Sequence, residues 1–431
     1  MEYQINRIEY TKEMDKEYTI LIPNMLDVHF SFIQKLMEQD GHRVVLLKNE
    51  GRAVVDAGLK YVHNDTCYPA LLVIGQFIDA LQSGEYDINK VAVMITQTGG
   101  GCRASNYLHL LRKALAKAGF PQVPVISLNV AGLEKNSGFQ LTLPLIRKAM
   151  AAVVYGDMLM LLRNQVRPYE INEGDAEKTR QLWTEKLCDE FTDSKGFTKK
   201  EMEENLRKIV RSFAEIPVEK TPKIKVGIVG EIYVKYSALA NNNLEDFLHE
   251  QGCEINVPGL LGFLTFYIGN KLEEIKLYGG NKVKEFILEQ VRVYLTGIEK
   301  IMIDVINEDG TFTAPMPFRK VHALAAQAIS YGCDMGEGWL LTAEMMELVE
   351  HGYKNIVCTQ PFGCLPNHIV GKGMIRKIRE LYPDSNIVPI DYDPGATKVN
   401  QENRIKLMLA VARENKGSTT VEVKEKESLK V

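Results

Sequence analysis

"KVAVMITQTGGGCRASNYLHLLRKALAKAG", residues 90–119, decides how this chain folds. It opens on a continuous apolar run at 90–96, the pattern of a strand buried on both faces. Three glycines then lead into Cys102, and "ASNYLHLLRKALAKAG" (104–119) has the apolar spacing of an amphipathic helix stopped by Gly119. "VPVISLNV" (123–130) follows as the next strand. Strand, tight turn, helix, strand is the unit of an open parallel sheet with helices on both faces.

Upstream the pattern repeats. "YTILIP" (18–23) and "HRVVLLKN" (42–49) read as strands, with "HFSFIQKLMEQDG" (29–41) and "YPALLVIGQFIDALQSG" (68–84) as helices closed by Gly41 and Gly84. From about 134 to 220 the spacing turns helical, with Thr198 as N-cap of "TKKEMEENLRKIVRSFAEI". A second alternating unit begins at "KIKVGIVG" (223–230). It continues through the helix "NNLEDFLHEQG", the extended "CEINVPG", helical stretches over about 260–306 and 318–331, and the helix "GWLLTAEMMELVEHG" (338–352). The strand "NIVCTQ" (355–360), the helix "MIRKIRELYP", the strand "NIVPIDYD" (386–393) and the helix "NQENRIKLMLAVAREN" complete it. The expected architecture is α/β: two Rossmann- or flavodoxin-like parallel-sheet domains joined by a helical segment. The divisions are 1–133, a helical connector 134–222, 223–415, and a charged tail 416–431 read as disordered.

Composition narrows the function classes. The 431 residues exceed one compact core, and 45% hydrophobic with 25% charged residues is ordinary for a globular protein. A formal net charge of −4 gives no basic excess for nucleic acid. No apolar stretch is long enough to span a membrane, and the polar N-terminus does not read as a signal peptide, so a cytoplasmic location is expected.

The seven cysteines, at 67, 102, 188, 253, 333, 358 and 364, contain no C-x-x-C pair, which removes the zinc-ribbon, thioredoxin and bacterial ferredoxin patterns. Ligands of open α/β sheets sit beyond the carboxyl ends of the strands, and three cysteines fall there. Cys102 follows the strand 90–96, Cys364 in "CTQPFGCLPNHIVGKG" follows the strand 355–360, and Cys67 in "NDTCYPALL" precedes a helix. Helix N-termini lower thiol pKa values and favour an anionic iron–sulfur cluster, toward which Gly99, Gly100 and Gly101 would present backbone N–H groups. Each cysteine taken alone is also an ordinary buried residue. Cys358, inside an apolar strand, reads as core packing ahead of ligation, Cys333 is even between the two, and Cys188 and Cys253 carry no assigned chemistry. "TGGGC" lacks the lysine and hydroxyl of a phosphate loop. His63 and His368 read as structural, and "GKGMIRKIR" as a solvated helix face on which Lys372 and Arg376 would meet an anionic substrate tail.

The blocks "NDTCYPALLVIGQF", "QTGGGCRASNY", "GEIYVKYSALANNN", "GEGWLLTAEM" and "CTQPFGCLPNHIVGKGMI" resemble the 2-hydroxyacyl-CoA dehydratase and activase-related family, in its dehydratase-like module. The similarity runs over about residues 15–415. The resemblance implies an oxygen-sensitive iron–sulfur protein that takes low-potential electrons from a separate ATP-dependent activator, since no ATPase domain is found here. It implies a [4Fe–4S] cluster on Cys67, Cys102 and Cys364, an acyl-CoA substrate dehydrated through a ketyl radical, and a homo- or heterodimer. Double-cubane relatives, with an 8Fe–9S group, would want about six cysteines, and only five candidates exist with Cys333 and Cys358 included. Glu231 and Glu337, beside glycines in these blocks, are the carboxylates expected to move protons, although both also suit helix caps. A double-cubane-type reductase of small molecules, a cluster-bearing electron-transfer subunit without a substrate of its own, and a scaffold or zinc protein whose cysteines are structural are the alternatives.

Overall fold

The computed structural model describes residues 7–63, 66–98, 100–129 and 133–428. Its eight strands form two four-stranded, all-parallel sheets. The first contains β1 (Thr19–Ile22), β2 (Arg43–Leu46), β3 (Val91–Thr96) and β4 (Val125–Leu128) in the order β2-β1-β3-β4. The second contains β5 (Ile224–Gly230), β6 (Cys253–Asn256), β7 (Asn355–Pro361) and β8 (Asn386–Tyr392) in the order β6-β5-β7-β8. The two orders are equivalent, so each sheet reverses its winding between its two central strands. Each therefore has a topological switch point, at the carboxyl ends of β1 and β3 in one and of β5 and β7 in the other, the position where open α/β sheets bind ligands. The apolar runs form the expected strands because helices cover both faces.

Three helices join the sheets: Leu143–Val166, Asp175–Thr192 and Lys199–Ala214. The last begins with a full capping box: the Glu201 N–H donates to Thr198 Oγ1 at 3.2 Å, and the Thr198 N–H returns a bond to Glu201 Oε2 at 2.9 Å. The helical stretch expected over 260–306 is two helices, Leu260–Tyr278 and Lys282–Asp309. The chain turns at Gly279, whose φ of +80° suits glycine, and Asn281 caps the second helix through the N–H groups of Val283 and Lys284. A helix not foreseen, Arg52–Tyr61, packs on Tyr68–Gln82 through Gly58 and Gly75. A Cβ on Gly75 would lie 2.2 Å from the Val54 carbonyl oxygen, so only glycine permits this approach. The closing helix runs Lys398–Ser428, into the segment expected to be disordered. Among the described residues no helix is long and apolar enough to cross a membrane.

One polar junction binds the three parts together. Asp157, buried on the first connector helix, accepts hydrogen bonds from the N–H groups of Leu260 and Leu261, both at 2.8 Å, and so caps the helix Leu260–Tyr278. Its Oδ1 also accepts from His29 Nε2 at 2.8 Å, on the helix Asp27–Gln39 of the first domain. Gly259 and Gly156 make room for this contact, since a Cβ on either would strike Asp157 or the His29 ring at 2.6 or 2.5 Å.

Candidate functional site

The three cysteines expected to act together share one local geometry. Cys67, Cys102 and Cys364 occupy the N-cap positions of Tyr68–Gln82, of the 3-10 turn Arg103–Asn106 and of Leu365–Val370. Each has extended backbone angles, and a proline stands in the first turn of the two α-helices, as cap positions favour. The two sheets meet here. The Tyr68 N–H donates to the Phe362 carbonyl at 2.9 Å, and a Cβ on Gly363 would come within 3.0 Å of the Cys67 Cα, which places the Cys364 loop against Cys67. On the other flank a Cβ on Gly101 would lie 3.0 Å from the Met335 sulfur. Gly99 lies outside the described residues, and Gly100 has open space where a Cβ would stand.

Cys67 and Cys364 are buried and Cys102 is half-buried. The Cys67 sulfur lies 2.8 Å from the Tyr107 hydroxyl, a partner the sequence does not advertise even though Tyr107 closes the quoted glycine block. All three thiols are pushed above the ordinary range, contrary to the lowering expected from helix N-termini. Burial is the main cause in each case, taking Cys102 up to about 11. The charges of Glu231 and Glu337 add to it at Cys102 and Cys364. The N–H groups of Ala70, Ala104 and Asn367 pull the other way, and burial outweighs them. A neutral thiol beside carboxylates is a poor nucleophile, so this environment disfavours covalent catalysis by cysteine. A cationic partner would offset the cost of forming thiolates there.

Glu231 and Glu337 come together. Glu231 follows β5 and accepts from the Val234 N–H at 2.9 Å, capping the short helix Ile232–Tyr236. Glu337 Oε1 accepts from the Ile232 N–H of the same turn at 2.8 Å. Burial raises both carboxyl pKa values, and the Glu337 charge raises Glu231 further. Two carboxylates in one buried space cannot both ionise easily, so the pair retains a proton where a surface glutamate has lost it. Lys235, buried on that helix, pairs with buried Glu344 at 3.1 Å.

Cys333 and Cys358 belong to an apolar cluster. Cys358 is fully buried in β7 in the apolar cluster with Val229, Leu341 and Met345, and burial drives its thiol up to about 12. Cys333 packs on the edge of that cluster, and its carbonyl accepts from the Trp339 N–H at 2.8 Å. The side chain of His368 is exposed. Lys372 and Arg376 border a surface groove of about 490 Å³. Both are engaged there, with Asp391 at 3.8 Å and Glu380 at 3.2 Å.

Glu344, Glu347 and Glu299 extend the buried acids away from the site. Burial raises all three, Glu347 to about 8 and Glu299 to about 7. Carboxyls with raised folded pKa values hold protons that the unfolded chain has released, so their contribution to stability falls as pH rises through that window. His249, His322 and His351, lowered by burial from 6.5, act in the opposite sense at lower pH. The melting temperature is therefore expected to fall between about pH 6.5 and 8, and Glu347→Gln to flatten the slope. A melting temperature rising over that interval would contradict the assignment.

Among the described residues no three His, Cys, Asp or Glu side chains meet at the spacing of a single metal ion. No family model matches the chain, and no curated protein matches it.

Proposed function

We propose that the protein is an iron–sulfur redox enzyme of the 2-hydroxyacyl-CoA dehydratase type, with Cys67, Cys102 and Cys364 as cluster ligands. The observation that carries this reading is that three N-cap cysteines from both sheets stand near one another and near the Glu231–Glu337 pair. The donor set fits a cluster better than a single ion. All three donors are thiols, the ligand type of iron–sulfur clusters, and the N–H groups of Ala70, Ala104 and Asn367 point toward the sulfurs. Buried polar atoms at the same strand ends, Thr98 Oγ1 beyond β3 and both amide atoms of Gln360 on β7, have no partner among the described residues, as expected where a bound group completes the site.

A [4Fe–4S] cluster would be held by Cys67, Cys102 and Cys364 and would supply one-electron chemistry there. The chain's own residues do the rest. Tyr107 holds the Cys67 sulfur, and burial keeps water from the Cys67 and Cys364 thiols. Glu231 and Glu337 share a proton at the carboxyl end of β5, placed to give it to or take it from a substrate. Phe362, Leu365 and Ile369, exposed and close to Cys364 in the chain, suit contact with a separate electron-donating activator with its own ATPase.

The test is electron paramagnetic resonance on anaerobically reduced, cluster-loaded protein with and without lactoyl-CoA. A spectrum altered by the thioester is expected. A cluster signal indifferent to it would favour an electron-transfer subunit without its own substrate.

A further inference from the structure

Gln360 is fully buried, yet neither its Oε1 nor its Nε2 has a hydrogen-bond partner among the described residues. A primary amide buried this way leaves one acceptor and two donors unpaired, which folding does not tolerate without a reason. Its place in the fold supplies one. Gln360 is the penultimate residue of β7, one of the two strands at the second sheet's switch point. Gly230 pairs with Thr359 in the register, so the next residue of β5's chain, Glu231, stands opposite Gln360, and the Glu231 N–H points to the Thr359 carbonyl at 3.4 Å. Four residues beyond Gln360 lies Cys364.

The neighbours of Gln360 are already committed. Thr359 Oγ1 donates to the Val229 carbonyl at 3.2 Å, and Asn367 Nδ2 donates to the Thr359 carbonyl at 2.9 Å. On the other side of Gln360 in sequence, Phe362 is bonded through both its N–H, to the Tyr392 carbonyl, and its carbonyl, to the Tyr68 N–H. The Gln360 amide is left over after the local hydrogen bonds are made.

We propose that Gln360 is a substrate-contact residue of the β5–β7 switch point, whose amide reads a small molecule carrying adjacent hydroxyl and carbonyl groups. The hydroxyl donates to Oε1 and the carbonyl accepts from Nε2, so one side chain recognises both polar groups of an α-hydroxycarbonyl compound. This deepens the substrate reading given above and rests on it for the thioester, but not on the presence of a cluster. A site built to bond a hydroxyl rejects the analogue that lacks it, because the analogue leaves the amide unpaired.

The experiment compares wild type with Gln360→Leu and Gln360→Asn, measuring melting temperature and binding of lactoyl-CoA, propionyl-CoA and free lactamide. Leucine removes two unpaired polar atoms at similar volume, so Gln360→Leu is expected to melt about 2 °C higher. It is also expected to bind lactoyl-CoA about tenfold more weakly and to lose its preference over propionyl-CoA. Gln360→Asn keeps the amide but shortens its reach, and should weaken binding without the gain in stability. A Gln360→Leu protein that melts lower and binds as wild type does would show Gln360 to be a core residue and overturn the proposal. Wild-type binding of lactamide but not of lactoyl-CoA, lost in Gln360→Leu, would uphold Gln360 and reject the thioester. Binding of neither probe to wild type would overturn both.

Discussion

Asp157→Ala is expected to destabilise the protein by about 4 kcal/mol, a large share of the ~5–15 kcal/mol that holds a typical domain folded. The reason lies in what the change strands. The Leu260 and Leu261 N–H groups and His29 Nε2 all point at this one carboxylate, and each would be left buried without an acceptor. The other ring nitrogen of His29 has no partner to offer in exchange. The lost cap and the orphaned donors add to one another because they share a single partner. Because the donors come from the first and second domains and the carboxylate from the connector, the loss loosens the docking of the sheets as well as one helix. Asp157→Asn retains one acceptor oxygen and should cost about half as much. Chemical denaturation of the three proteins measures this, and an Asp157→Ala midpoint equal to wild type would show that the junction contributes nothing.

The second large effect concerns the cysteines. Cys67→Ala, Cys102→Ala and Cys364→Ala are each expected to abolish the visible absorption of anaerobically reconstituted protein, because a cluster on three protein ligands loses a third of its anchorage with each. Cys358→Ala is the contrasting case. It sits in an apolar cluster of β7 and should lower stability through the cavity it leaves while retaining iron. Cys333→Ala should also retain iron, since Cys333 packs at the edge of the same cluster. Cys67→Ala additionally leaves the buried Tyr107 hydroxyl without its sulfur partner, so Cys67→Ser separates loss of the ligand from loss of that contact. Full chromophore retention in any of the three Ala variants at 67, 102 or 364 would remove that residue from the ligand set.

The sheets were legible because parallel strands covered on both faces must be apolar throughout, as in "KVAVMIT" and "KIKVGIVG". The helical connector was legible from its charged outer faces and from the Thr198 capping pattern. The break at Gly279 was missed because apolar spacing continues across it, although "YGGNK" carried both a glycine stop and an Asn cap. The convergence of Cys67, Cys102 and Cys364 was legible only as strand-end positions. That each occupies an N-cap position depends on backbone angles, and the rise in their thiol pKa values depends on burial and on carboxylates brought in from other parts of the chain. Asp157, Tyr107 and Gln360 escaped for a similar reason. Nothing local distinguishes a glutamine that has no partner from one that has, and a buried aspartate in an apolar helix acquires meaning only when two other elements aim donors at it.

Iron and acid-labile sulfide per chain, measured on protein purified and reconstituted without oxygen, test the central claim most directly. The account predicts about four of each, the content of one cubane on three cysteines. About eight irons would draw Cys333 and Cys358 into a double cubane, and a chain that takes up no iron would contradict the redox reading altogether.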